Sequence, residues 1–249
     1  MNDMTKTSGQ SIAPDVSDEV RRILDEAAKK QRDNELSRTP FLSIKNKKFA
    51  IGELKLGTTL NVVVLANVFD NAYYDRPYDP DVMMPPACFA IGEVQSELVP
   101  NDTSPDVQSP ACDGCPKNEF GSSGKGKVCR NGRRLLMAVV VDNKLDMDNL
   151  VILNLAPTSL KAFSQYSKRL SNLTKLPLWA CITNLSFDDD VAWPQIVPTF
   201  VNPLDADNIS SIATKINDYT IEVSIPYDTS GYEPLGSTPA SGTKRSKMS

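Results

Sequence analysis

Near the start of the chain, Val20, Ile23, Leu24, Ala27 and Ala28 recur at helical spacing, with Arg21, Arg22, Lys29, Lys30 and Arg32 on the opposite side. Ser17 is placed to cap such a helix, and Asp18 and Glu19 fall in its first turn, where the helix dipole favours carboxylates. The pattern predicts an N-terminal amphipathic helix within residues 15–37, docked by its apolar side and solvated on its basic one. Residues 1–14 are polar and aperiodic and are expected to be disordered. Strand patterns follow. Residues 41–44 and 49–51 flank the basic turn 45–48, and the run LNVVVLANVF at 60–69 is rich enough in Val and Leu to require a buried strand. Residues 135–141 and 149–156 read as strands joined by a polar turn over 142–148. A helix is expected over about 159–170, with Leu160, Phe163 and Leu170 inward and Thr158 as its cap. Two more strands, 178–187 and 195–201, precede a short helix over 205–217, with Ile209, Ile212 and Ile216 inward, and a last strand over 219–225. The Gly-, Ser- and Lys-containing tail, 229–249, is expected to be disordered.

About five core strands with one helix before the last two is the order of an OB-fold, a small Greek-key barrel whose face and loops accept oligonucleotides. The expected fold class is therefore mainly β with a few helices (α+β): an OB-fold-like barrel in one core domain, 38–228, carrying a four-cysteine zinc-binding insert at 85–134. That insert is rich in Pro, Gly, Ser and Cys, and a structureless stretch of its length inside a domain needs an organiser. Cysteine supplies one. Cys112-Asp-Gly-Cys115 sets two thiols on one side of a tight loop, and tetrahedral zinc is satisfied when a second pair approaches from elsewhere. Gly114 lets the loop fold back, Pro116 stiffens its exit, and Cys88 and Cys129 lie in the same segment. Cys181 falls instead within LWACITNL, a predicted buried strand, and reads as a core residue.

The chain has no histidine, which removes Ser/His and Cys/His nucleophiles, a His base and a His ligand together. Five cysteines behind an N-terminus without a signal-peptide-like apolar stretch point to a reducing, intracellular setting, where metal ligation ranks ahead of disulfide pairing. An iron–sulfur cluster and a metal-free site are the alternatives to zinc. A thioredoxin-like pair should open a helix, which Pro-Lys-Asn-Glu-Phe-Gly does not promise. Zinc bound by four thiolates has no open position, so its role would be structural. No run of about 18 apolar residues is present, so no membrane-spanning helix is expected.

A net charge of -4 argues against a nucleic-acid partner, but the average conceals a basic segment. Between Cys112 and Arg134, Lys117, Lys125, Lys127, Arg130, Arg133 and Arg134 face only Asp113 and Glu119. Residues 121–127 read as a flexible glycine-rich loop with exposed amides, suited to a phosphate backbone; a Walker A motif would need Ser or Thr after the Lys. Tyr73, Tyr74, Tyr78, Phe89 and Phe120 lie in predicted loops beside these charges and offer planes on which bases stack, with ordinary loop packing as the alternative for each. Asp188-Asp189-Asp190 lacks the companion carboxylates of a metal nuclease and reads as a solvated turn. The composition points to a non-catalytic single-strand binder, with a zinc-stabilised module docking a polymerase or host factor as the alternative.

Several segments carry a resemblance. LNVVVL followed by AYYDRPYDPD, then PPACFAIG, CDGCPKNEFGSSGKGKVCRNGRRL, LAPTSLKAF and ACITNLSFD together resemble the zinc-containing single-stranded-DNA-binding-like proteins of tailed bacteriophages, over about residues 41–204. The resemblance implies an OB-like core with a cysteine insert, and a role in phage DNA replication or recombination in the cytoplasm of the infected host, beside phage replication or transcription proteins. Many replicative single-strand binders end in an acidic tail, whereas this chain ends Thr-Lys-Arg-Ser-Lys-Met-Ser.

Overall fold

The computed structural model describes residues 17, 19–24, 26–27, 39–77, 84–142 and 144–233. The expectations for residues 1–14, for the C-terminal part of the first helix and for the tail beyond 233 lie outside the described residues. Residues 19–24 and 26–27 are helical (α1), and the Arg21 amide donates to the Ser17 carbonyl at 2.9 Å, so the helix begins where Ser17 was expected to start it. Val20, Ile23 and Leu24 are exposed, so among the described residues of this helix the expected docking of its apolar face is not made.

The fold is mainly β, one curled, half-barrel sheet with a few helices. Its strands are β1 (Phe41–Lys45), β2 (Lys48–Ile51), β3 (Leu54–Gly57), β4 (Leu60–Tyr73), β5 (Cys88–Gly92), β6 (Arg130–Val141), β7 (Lys144–Leu155), β8 (Cys181–Phe187) and β9 (Ile196–Pro203). The helices after α1 are α2 (Pro157–Thr174), α3 (Ala206–Ala213) and α4 (Ile216–Val223). Hydrogen bonding follows the order β3-β2-β1-β7-β6-β4-β8-β9, with β5 also paired to β4. β1 runs parallel to β7, while β6–β7, β4–β8 and β8–β9 are antiparallel. By contact density the chain divides into two compact units: 1–70 with 92–94 and 131–225, and 71–91 with 95–130 and 226–249.

Local chemistry explains the turns. Asn46 and Lys47 both have positive φ, 51° and 54°, as a two-residue hairpin turn of the twist-matched kind requires. Lys47 is held there by its Nζ, which donates to the carbonyls of Asp188 at 2.7 Å and Val191 at 2.6 Å. Asp142, at φ 49°, turns β6 tightly into β7, so most of the expected polar turn 142–148 is strand. Within that segment Asp146 Oδ1 accepts from the Asp148 amide at 3.2 Å and the Asn149 amide at 3.1 Å, so its polar residues bond locally inside the hairpin arm. The Asp188–Asp190 turn behaves as expected: Asp188 accepts from the Asp190 amide at 2.9 Å and the Gln195 amide group at 3.3 Å.

The main core gathers Phe49, Val64, Leu135, Met137, Leu153, Phe163 and Leu185, and Phe49 stacks on Phe187 with ring centroids 4.6 Å apart. α2 starts with Pro157 in its first turn and ends at Lys175, which takes the left-handed conformation with φ 60°. Thr158 therefore lies inside the helix and does not cap it; the capping position is Ala156, without a side-chain bond. Ser159, Phe163, Tyr166 and Leu170 form its buried face, with Ser159 Oγ accepting from the Ile196 amide at 2.9 Å and the Tyr166 and Thr183 hydroxyls 2.6 Å apart. Asp205 caps α3 by accepting from the Asn208 amide at 2.8 Å.

Residues 219–223 lie in α4, whose C-cap is Ser224, rather than in the strand expected over 219–225. Tyr219, Ile221, Val223 and Ile225 alternate, but only Tyr219 and Val223 are buried, and their spacing of four is equally a helical stripe; Ile221 is exposed. One ion pair is buried in the first unit: Arg134 Nε donates to Asp70 Oδ2 at 3.1 Å, each side chain 3% exposed, and Arg134 also bonds to the Ile225 carbonyl. Gly132 lies close to backbone on both sides: a Cβ there would be 3.2 Å from the Leu155 carbonyl oxygen and 3.4 Å from that of Asp70, a tight fit.

Removing one partner of a buried pair leaves a desolvated charge, so Arg134→Met is expected to cost about 3–5 kcal/mol of stability in urea denaturation. A loss below about 1 kcal/mol would show that the pair is not structural.

Candidate functional site

The second unit has few large apolar side chains; among the described residues its buried hydrophobics besides cysteine are Ala72, Ala87, Phe89, Ala90 and Leu98. Backbone bonds tie its irregular chain together. Ala87 N donates to Tyr73 O at 2.8 Å, Cys112 N to Leu98 O at 2.9 Å and Cys129 N to Lys117 O at 2.8 Å. Gly114, with φ 71°, reverses the Cys112–Cys115 loop, Pro116 opens a short 3-10 turn, and the Asn118 side chain donates to the Cys112 carbonyl at 2.8 Å.

These connections bring Cys88, Cys112, Cys115 and Cys129 to the wall of one cavity of about 20 Å³, which Asn71 and Tyr73 also line. Cys88, Cys115 and Cys129 are buried, Cys112 is half-buried, and all are free thiols. Cys181 is buried elsewhere, packed in the first unit with Tyr166 and Leu170, as a core cysteine should be. Burial pushes the Cys129 thiol up to about 12, and the Cys112, Cys115 and Cys88 thiolates add to the rise. Burial likewise raises Cys88 and Cys112, opposed at Cys88 by bonds from the Gln108 backbone and the Ser104 side chain and at Cys112 by one from the Asn71 side chain.

Among the described residues, no three His, Cys, Asp or Glu side chains are grouped as a metal site as they stand. The lining of one cavity by four thiols is nevertheless a donor set that a thiophilic cation fits, because a cation reverses the repulsion that the other three exert on a Cys129 thiolate. A cavity of about 20 Å³ exceeds the ~10–15 Å³ that one water needs.

The loop after Cys115 differs from its expected form. The Gly121 and Ser123 amides donate to the Gly126 carbonyl at 2.8 and 3.3 Å, Gly124 N to Gly121 O at 2.8 Å, and Val128 N to Ser122 Oγ at 3.0 Å. These amides are therefore spent within the loop and do not face a phosphate. Lys125, Lys127 and Arg130 are exposed, and Phe120, 81% exposed, projects fully. Lys117 Nζ lies 5.1 Å from the centroid of the Tyr73 ring, and Tyr74 is exposed. Tyr78 lies outside the described residues.

Three expected contacts are corrected. Phe89, 1% exposed, is a β5 residue set edge-on to Tyr227 at 5.1 Å, so it packs and offers no free plane. Arg134 is consumed by Asp70. Arg133 is half-buried in the first unit, its guanidinium 4.1 Å from the Phe69 ring centroid and donating to Asn67 at 3.1 Å. Sequence reasoning missed Asn71, Ser104 and Gln108; Asn71 lies beyond the strand expected over 60–69, in the part of β4 that the apolar run did not reveal. No family model, curated protein or solved structure matches this chain.

The two phenylalanines should separate cleanly. Phe89→Ala is expected to lower stability by ~3–5 kcal/mol, whereas Phe120→Ala should leave the thermal midpoint unchanged. Equal losses in calorimetry would contradict these assignments.

Proposed function

We propose that this chain binds single-stranded DNA stoichiometrically, on an OB-like core whose first loop is a basic insert stabilised by zinc. The observation that carries this reading is the strand pairing. β4, β6 and β7 are neighbours in the sheet, with β5 between β4 and β6 in the chain; α2 follows β7, and the β8–β9 hairpin returns to pair β8 with β4. That succession is the one an OB barrel follows with β4 as its first strand, and parallel β1 flanks β7. OB-folds take oligonucleotides on their second and third strands and on the loop between the first and second, which here is the cysteine segment.

Cys88, Cys112, Cys115 and Cys129 would hold the zinc, which supplies structure and no open coordination position. Bases stack on Phe120, Tyr73 and Tyr74, while Lys117, Lys125, Lys127 and Arg130 meet phosphates. The placing of this activity in phage DNA replication or recombination, within the host cytoplasm, rests on the sequence resemblance alone. One observation favours a protein-docking module instead: the acidic turn at Asp188–Asp190 lies beside an exposed Trp193.

A fluorescence titration with single-stranded and duplex oligonucleotides decides between them. Single-strand affinity should fall steeply with salt, and replacing Lys125, Lys127 and Arg130 by Ala should reduce the logarithmic salt slope by about 2, at ~0.7 per phosphate contact. Phe120→Ala should weaken binding by ~1–3 kcal/mol without changing that slope. Absent or salt-insensitive binding would leave only the docking module. Metal analysis should find one zinc per chain, and a chelator should strip hydrogen-exchange protection from residues 84–130 before the β4–β6–β7 strands.

A further inference from the structure

β4 is a strand of Val, Leu, Ala and Phe interrupted by polar residues, and the partners of three of them are in the first unit. Asn61 accepts from Asn184 at 2.8 Å, Asn67 accepts from Arg133 at 3.1 Å, and Asp70 accepts from Arg134 at 3.1 Å. The fourth, Asn71, lies in the second unit, is 3% exposed, lines the cysteine cavity and hydrogen-bonds through its side chain to Cys112. A carboxamide buried this deeply in a strand is costly unless it meets a fixed partner. Cys112 is the only one of the four cavity cysteines that is half-exposed to solvent, and so the one whose thiol has most freedom to turn away.

Resting on the zinc reading above, we infer that Asn71 is a positioning residue for the metal: its buried amide group donates to Cys112 Sγ, orients that sulfur into the cavity and offsets part of the thiolate charge. The reason is the excess charge of the donor set. Four thiolates around one divalent cation leave two negative charges in a desolvated cavity, and each N–H aimed at a sulfur reduces that burden without competing for the metal. The Gln108 backbone does the same for Cys88. Asn71 is the member of this outer shell that lies on a regular strand, where its position is set by sheet pairing rather than by a loop. It therefore holds Cys112 to a rigid reference.

The test uses the full chain, purified with zinc and, separately, reloaded with cobalt(II). Metal affinity is read by competition with a chromophoric chelator, and ligand geometry by the cobalt absorption spectrum. Asn71→Leu, similar in size without a donor, should weaken metal binding ~10–100-fold, and Asn71→Asp, which places a further negative charge beside the thiolates, should weaken it at least as much. Asn71→Ser keeps a donor hydroxyl and should recover part of the loss. The cobalt bands of Asn71→Leu should shift while four-sulfur charge transfer persists, a change that loss of packing alone does not produce. Affinity in Asn71→Leu and Asn71→Asp within twofold of the parent would overturn the inference while leaving the zinc reading intact. A parent chain that binds no zinc or cobalt would instead sink the zinc reading itself. Should Asn71→Leu not fold, the near-isosteric Asn71→Asp and the donor-keeping Asn71→Ser still order the outcome.

Discussion

A strand buried on both faces cannot leave a polar group unanswered, and β4 imposes that condition on the rest of this molecule. It pairs with β5, β6 and β8, its aliphatic residues are withdrawn from solvent on either side, and water is not at hand to satisfy an amide or carboxylate. Each polar position along it therefore selects a complementary residue on another element. Arg133 and Arg134, side by side on β6, answer Asn67 and Asp70, which fixes the register of β6 against β4 as firmly as any apolar contact. Arg133 adds a guanidinium laid against Phe69, so the same residue closes an apolar surface and a polar one.

The two compact units solve the problem of cohesion differently. The first has the sheet, α2 and a continuous cluster of large side chains. The second, a segment poor in Leu, Ile and Val, relies on isolated backbone bonds and left-handed glycines, and four thiols line its cavity. Its chemistry is concentrated where its packing is thinnest.

Much of the first unit was legible in the residues. The 41–51 hairpin, β4, β6, β7, α2, β8 and β9 follow from apolar runs bounded by polar turns, and Cys181 declared itself a core residue by lying in such a run. β3 and β5 were hidden, the one because Leu-Lys-Leu-Gly is too short to show a period, the other because Cys-Phe-Ala-Ile-Gly sits among prolines and loop residues. α4 was misread because alternation at 219–225 and a spacing of four share the same residues, and only burial separates them. At the candidate site, Cys88 shares a cavity wall with the three later cysteines, which its membership of the same irregular segment suggested and its long spacing did not. The fates of Phe89 and Arg134 could not: an aromatic or a cation in a basic stretch has the same letter whether it faces water or a buried partner.

The loop after Cys115 looks in sequence like a loose glycine tether, yet its carbonyls and amides close upon one another across residues 117–129. Such a knot has surrendered its conformational freedom during folding rather than at the moment of encounter. The backbone beneath Phe120 and its neighbouring cations is thus set in advance, and only their exposed side chains are left to be ordered by anything that meets them.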